Sequence, residues 1–431
     1  MDRKMNNIED DHQELSHLFV SLREKLERIP SISSDCCIFR VPKRLRELNE
    51  KAYTPRVVSI GPLHHDNEGL RAMEVPKLHY LKNFLLRTNA SMEDYLNLLK
   101  GREERLRNSY GEPIKLTSND FLEMILVDAA FVIEVMLQYH SPNKANYNGY
   151  HFILGNRLLI KDVKYDMLLL ENQLPFFILE ELFLKARIII PPEHDERLSL
   201  IRLTHHVFET QAYLEGVGQP LGKICLSEIE HFVHFIRICH LPQTLPPKGK
   251  LRTVSIPSAT QLHQTGVKFK VASTGNLYDL RFKNGVLEIP HFRVRGSTES
   301  LFGNLIAFEQ CRFDANYISD YLFVMDRLIE TREDVELLVR NGIIESKLLD
   351  SKGVVTFIKH LVPGTIMRSR EFYFTDVCED LNAHCNVLWN KWKVTLREDY
   401  FSSPWAVLSL TAAATLLLLT SIQTVCSIIS L

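Results

Sequence analysis

Three carboxylates stand in stretches too apolar to solvate them. Asp128 and Glu134 lie in FLEMILVDAAFVIEVMLQ, and Glu171 lies in YDMLLLENQLPFFILEELFLK. Burial raises a carboxyl pKa, and acid–base catalysis needs two carboxyl groups in environments that push their pKa values apart. These residues are therefore the best acid–base candidates, and a hydrolase using Asp128 or Glu171 is the enzymatic expectation. Asp128 and Glu134 are six residues apart, about 240° around a helix, so they share no face. Each can instead be a buried polar tie to backbone or to an arginine, because structural networks perturb pKa values as well. The sequence favours that second reading.

The other chemistry-bearing groups divide the same way. Glu171-Asn172-Gln173 precede Pro175 in an apolar run. Proline removes a helical N–H and frees a carbonyl one turn back, so Asn172 and Gln173 read as a polar plug in a kinked core helix. His64-His65 follow the Gly61-Pro62 turn and read as a turn packed on the core. His231 and His234 are three apart, which puts them on one face of a helix, yet no HExxH pattern accompanies them. Cys378, His384 and Cys385 offer sulfur and nitrogen ligands at a spacing that matches no tetrahedral zinc signature. GVGQPLG, beginning at Gly216, lacks both the GxGxxG order and a preceding strand. No GxSxG, P-loop or kinase signature occurs. The short basic runs at Lys43-Arg44-Arg46 and Arg102 to Arg107 alternate with acids and read as solvated helix faces. No catalytic residue, cofactor or metal ligand is assigned.

The elements that must position these residues are mostly helices. The chain has 431 residues, 45% of them hydrophobic, with a formal net charge of −2. That balance offers no basic excess for nucleic acid. The eight cysteines are scattered, and the polar, acidic N-terminus MDRKMNNIEDDHQEL shows no secretory signal, so free thiols in reducing cytosol are expected. Leu15, Leu18, Phe19, Leu22, Leu26 and Ile29 recur at helical spacing in the N-terminal extension, residues 1–35. A single helical domain is expected over 36–400, with a sub-boundary near LPQTLPPKGK at 241–250. Its helices include a short one from Pro42, one over Met73 to Arg87, one from Ser91 with a capping box to Asp94, one capped by Ser118, and Tyr165 to Lys185. Later come Ser258 to Gln264, TESLFGNLIAFEQCRF, NYISDYLFVMDRLIE, Arg332 to Arg340 closed by Asn341-Gly342, and Thr375 to Tyr400. A small antiparallel β element is expected around 267–294, with turns at Gly275-Asn276 and Asn284-Gly285.

From Ser402 to Leu431 there is no charged side chain. The stretch exceeds the roughly 20 apolar residues that cross a bilayer, so a transmembrane helix is expected over 404–427. Tyr400, Phe401 and Trp405 suit an aromatic belt, and Lys391, Lys393 and Arg397 precede the span with no Lys or Arg after it. The positive-inside bias then keeps the N-terminal domain cytoplasmic. The sequon Asn89-Ala90-Ser91 would be glycosylated if the domain faced a lumen. Ser409 and Ala413 form a small-xxx-small pair that can support helix pairing and hence a homo-oligomer.

VPKRLRELNEKAYTPRVVSIGPLHH, LLLENQLPFFILEELF, and ATQLHQTGVKFK with VLEIPHFRV and ESLFGNLIAFEQC occur in that order. Together with the tail, over roughly residues 36 to 425, the chain resembles the plant family catalogued as domain of unknown function 247. The resemblance implies a plant source, membrane association and no agreed catalytic site. Some grass members are implicated in self-incompatibility, others in growth or stress responses. The chain departs from the family at Asp128-Ala129-Ala130-Phe131, where a glycine and a cysteine are expected between the Asp and the aromatic residue. The combined expectation is a mainly α (α+β) protein with a single-pass C-terminal anchor in a membrane, most simply the plasma membrane. Its body recognises or scaffolds a protein partner rather than performing catalysis.

Overall fold

The computed structural model describes residues 18–23, 35–140, 152–188, 199–209, 228–242, 245–251, 256–273, 278–313, 316–346, 349–363, 365–367, 370–387 and 404–429, with side chains of the last helix at 408–409 and 411–425. The helices are α1 (Lys43–Arg46), α2 (Glu74–Arg87), α3 (Met92–Lys100), α4 (Glu103–Asn108), α5 (Ser118–His140), α6 (Arg157–Asp166), α7 (Phe176–Ala186), α8 (Leu200–Glu209), α9 (Phe232–His240), α10 (Ala259–Gln264), α11 (Thr298–Arg312), α12 (Tyr317–Leu328), α13 (Arg332–Arg340), α14 (Ser351–Leu361), α15 (Thr375–Asn386) and α16 (Pro404–Ile429). Gly216 in GVGQPLG, Gly275-Asn276 and the 387–400 end of the expected last amphipathic helix lie wholly or mostly outside the described residues.

The centre of the first half is α5, whose residues from Phe121 to Gln138 are almost all buried. A helix apolar all round must be enclosed, and α2, α3, α7 and α8 enclose it. Tyr80 meets Phe131 edge to face at 5.4 Å across the α2–α5 contact. The second half is built on α11, packed against α9, α12 and α14. The start signal acts as the sequence predicts at α3, where Ser91 and Asp94 form a reciprocal capping box; α10 begins with a second box, Ser258 with Gln261, that the sequence reading did not name. α5 differs slightly: Thr117 Oγ1 accepts from Asp120 N, while Ser118 Oγ pairs with Glu103 and Lys100.

Two expectations change. The run from Tyr165 to Lys185 is not one kinked helix. α6 ends at Asp166, residues 167–174 cross the core without regular structure, and α7 begins at Phe176 after Pro175 in extended geometry. Proline's missing N–H and its restriction on the preceding residue favour a restart over a kink. The β element is also not wholly antiparallel. The strands are β1 (Lys268–Val271), β2 (Arg281–Lys283), β3 (Val286–Ile289), β4 (Phe292–Val294) and β5 (Ile344–Ser346). Only β2 and β3 form the expected hairpin, through Asn284 (φ 53°) and Gly285 (φ 74°), the positive φ pair of a type I′ turn. β1 pairs with β3 in parallel, Phe269 opposite Leu287, and β4 pairs in parallel with β5, Phe292 opposite Ile344.

The transmembrane helix expected over 404–427 is borne out only as a helix: α16 gives 26 residues of helical backbone there, but its membrane-spanning character is not supported. Among the described residues, no helix is long and apolar enough to cross a membrane.

Candidate functional site

Three of the polar residues singled out in the sequence, Asp128, Glu171 and Asn172, converge on one segment, the irregular stretch 38–64. It contains only α1 and two short 3₁₀ turns, so most of its amides lack a partner within the segment. Buried backbone groups must be paired, and side chains from α5, from the 166–173 crossing and from α11 pair them.

Glu171 is fully buried and takes the Val41 amide at 2.7 Å on Oε1, together with the Arg46 guanidinium. Arg40 reaches Oε2 at 3.4 Å. His64 Nε2 lies 3.2 Å from the same oxygen, without hydrogen-bond alignment. Burial works against the charge, yet His64, the Val41 amide and Arg46 together hold the carboxyl below its ordinary range. Asp166 accepts the amides of Arg56, Val57 and Val58 at 2.8–2.9 Å. Burial pushes its carboxyl up to about 7 against those three donors. Asn172 accepts from Ile60 N at 2.8 Å and donates to Val58 O and Asp166 O.

Asp128 accepts Gly61 N at 2.8 Å on Oδ2 and the Lys77 ammonium at 2.6 Å on Oδ1. Burial raises its carboxyl, and Asp128 in turn helps hold Lys77 above its ordinary value despite burial. Lys77 also donates to Ser59 O and pairs with Glu74. Gly61 is at φ 77°, where a side chain is strained, and a Cβ there would lie 2.6 Å from Gln173 O. Asn304 on α11 extends the same pattern. It accepts Leu170 N and donates to Ala52 O, which Ser300 also bonds.

Most of the remaining candidates have a local structural partner; His65 is half-buried, with its Nδ1 buried and no hydrogen-bond partner among the described residues. Glu134 is clasped by Arg87 at 2.8 and 3.0 Å and by Gln138 at 3.0 Å. Gln173 caps the carbonyls of Met167 and Leu169 and accepts Phe232 N. His231 is not within the helix but is the N-cap of α9. Its Nδ1 accepts His234 N, which leaves the proton on Nε2 to donate to Cys37 O at 3.1 Å. Burial drives its pKa down to about 3. His234 Nδ1 accepts Glu230 N, so the two imidazoles do not converge on a ligand. Cys378 is buried with its thiol pushed up to about 12. Cys385 meets Thr265, and His384 meets Phe282 edge to face at 5.6 Å. Among the described residues, no three His, Cys, Asp or Glu side chains gather as a metal set.

The basic runs are less solvated than the sequence suggests. Arg46 is bound to Glu171, and Arg107 donates to Ile114 O and Leu116 O while lying over Phe121. Sequence reasoning missed Lys77, Asp166 and Asn304. A signal was available only for Asn304, a polar residue within the apolar stretch LFGNLIAF that must find a buried partner; Lys77 and Asp166 sit in helices rich in charge, EVPKLHYLKNFLLR and RLLIKDVKYD, which gave none.

Asp128 and Glu171 thus converge on one segment, but neither offers a free carboxylate oxygen edge. Both oxygens of each are engaged, and both side chains are about 1% exposed. What the arrangement does is join the stretches that carried the family resemblance into one interlock. The 41–65 stretch is held by 166–173 and by 299–304.

Comparison with known proteins agrees with that resemblance. Residues 38–419 match a family model described as plant protein of unknown function, catalogued as domain of unknown function 247. A UPF0481 protein of Arabidopsis thaliana is 29% identical over 425 residues, covering 92% of this chain and 87% of that protein. A putative UPF0481 protein of the same plant is 23% identical over 499 residues, covering 94% and 92%. No solved structure matches.

Proposed function

This chain belongs to that plant family of unknown function, and from this premise we propose that it is a non-enzymatic, membrane-tethered recognition or scaffold protein. Its helical body faces the cytoplasm and binds a protein partner at the membrane surface. The observation that carries the tether is α16. Leu416, Leu417, Leu418 and Leu419 are 61–69% exposed. Four successive residues at about 100° each cover the whole circumference of a helix. A helix apolar and uncovered on every side needs a non-aqueous surrounding. Its threonine and serine hydroxyls bond back to carbonyls within the helix, as Thr415 does to Thr411 and Thr424 to Thr420, which suits hydrocarbon. Lys391, Lys393 and Arg397 precede it in sequence and support the cytoplasmic orientation.

The non-enzymatic part rests on the interlock. Asp128, Glu134 and Glu171 are buried, and each of their carboxyl oxygens already accepts a hydrogen bond from backbone, lysine, arginine or glutamine, which supports a structural rather than a catalytic role. A body stiffened in this way suits a fixed binding surface.

Proximity labelling in plant cells with the full chain and with a chain lacking 402–431 tests the reading. Loss of the membrane-proximal partner set on truncation is expected, and an unchanged set counts against the tether. Orientation is read at Asn89, which is exposed between α2 and α3. Absence of a glycan there is expected, and a glycan places the body across the membrane.

A further inference from the structure

The outer face of the three-stranded sheet β1–β3–β2 is basic. Lys268 and Lys270 on β1, and Arg281 and Lys283 on β2, are exposed, while Phe269, Phe282 and Leu287 take the packed face. The register sets Lys268, Val286 and Lys283 in one row and Lys270, Glu288 and Arg281 in another. Residues two apart on a strand share a face, so both rows point the same way. The four cations bracket an area of about 10 Å by about 7 Å, two strand spacings by two residues. The acids that reach Arg281 are Asp279, which pairs with it at 2.6 Å, and Glu288 in the same row. Lys268, Lys270 and Lys283 form no ion pair among the described residues. Charge on edge strands discourages edge pairing, but acids would serve β1 and β2 there as well, so the shared positive sign calls for an anionic partner.

We propose that this sheet face rests on anionic phospholipid headgroups beside the anchor. The sheet packs against α15, the last element of the body before α16 in the chain. His384 near the end of α15 meets Phe282 of β2, and Cys385 meets Thr265 just before β1. The connection from α15 to α16 carries Lys391, Lys393 and Arg397 in its sequence. Those three fall short of the roughly four to eight cations that mark an anionic-lipid contact beside an anchor, and the sheet face supplies the remainder. Each lysine near such a surface favours contact about fivefold. An acidic protein fits the face less well, because protein interfaces are depleted of lysine and enriched in aromatic residues. The two rows offer one apolar side chain, half-buried Val286. A second contact besides the anchor fixes how the body is turned at the membrane, and so which side it presents to a partner. The choice of lipid over protein rests on the proposed tether.

Amine acetylation of the full chain reconstituted in bilayers, read lysine by lysine by mass spectrometry, tests it. In phosphatidylcholine alone, Lys268, Lys270 and Lys283 should label freely, as should Lys43 on α1, whose side chain is 88% exposed. With phosphatidylserine added, the three sheet lysines should label at least about fivefold slower, and Lys43 should not change. Molar salt, which shortens the screening length to about 3 Å, should restore their rate. Lys268→Gln with Lys283→Gln, at exposed positions and with the fold checked by circular dichroism, should leave Lys270 labelling freely in both bilayers. Equal rates for the parent chain in the two bilayers, fast or slow, overturn the proposal. Slowing that requires added cytosolic protein rather than phosphatidylserine assigns the face to an acidic protein and overturns it as well. A chain that does not float with phosphatidylcholine vesicles removes the tether and this contact with it. A chain that floats but shows no lysine protection on phosphatidylserine loses the sheet contact alone, so the two readings fail separately.

Discussion

Lys77 Nζ lies 2.6 Å from Asp128 Oδ1, and both side chains are sealed from solvent. Their pairing joins α2 to α5 and, through Gly61 N and Ser59 O, fixes the end of the irregular segment. Removing one member of a buried pair leaves an uncompensated charge and costs about 3–5 kcal/mol. Lys77→Met and Asp128→Asn are each expected to destabilise by roughly that amount in urea unfolding. The double variant should fall short of the sum by more than about 1 kcal/mol. Simple additivity would show that the two residues act independently.

Gly61 combines a left-handed backbone with a close neighbour. Gly61→Ala meets both the φ of 77° and Gln173 O at 2.6 Å, whereas Gly266→Ala meets only a φ of 95° with nothing within 4 Å. Strain alone costs about 1–3 kcal/mol, so Gly266→Ala should stay within that range. Gly61→Ala should exceed it in the same unfolding measurement. Equal effects at the two positions would mean the backbone approach at Gly61 relaxes freely.

Two neighbouring basic residues should behave differently. Arg46 binds buried Glu171, while the Lys43 side chain is 88% exposed and pairs with Glu47 one turn on. Arg46→Ala is expected to lower stability by about 2–4 kcal/mol, and Lys43→Ala by no more than about 0.5 kcal/mol. Thermal denaturation of the two variants side by side distinguishes an ionic tie from a solvated helix face.

His231 gives the fold a defined acid sensitivity. Its pKa is lowered by burial from 6.5 to about 3. The folded form therefore holds a neutral ring, and the unfolded chain takes up the proton first. Its contribution is fully present above pH 6.5 and is lost as pH falls from 6.5 towards 3, at roughly 1.4 kcal/mol per unit. His231→Asn keeps a side-chain acceptor at the N-cap of α9 and removes the titration. Its stability should fall less steeply across that window when unfolding is followed as a function of pH, and an unchanged slope would assign the acid sensitivity to other groups.

The interlock was only half legible beforehand. That Asp128, Glu134 and Glu171 would be buried ties follows from their apolar surroundings, and the structure places Arg87 on Glu134 and Arg40 and Arg46 on Glu171. Which backbone they would hold could not be read. Val41 N and Glu171 are 130 residues apart in sequence, and Ala52 O and Asn304 are 252 apart. No spacing rule reaches over such distances.

By itself the sequence determined much of what depends on residues three or four apart: most of the helices and their period, the capping box at Ser91, the Asn284-Gly285 turn, and the apolar continuity of 404–429. These features arise from backbone geometry and adjacent side chains, so composition and spacing suffice. Only the tertiary structure decided that Pro175 begins a helix rather than bending one, that β1 joins β3 in parallel, and that β5 is the partner of β4. It also decided that the polar residues of three distant stretches meet on the 38–64 backbone. Those outcomes rest on which unpaired amide and which buried carboxylate face each other once the core closes, a matter of three-dimensional packing that no local pattern encodes.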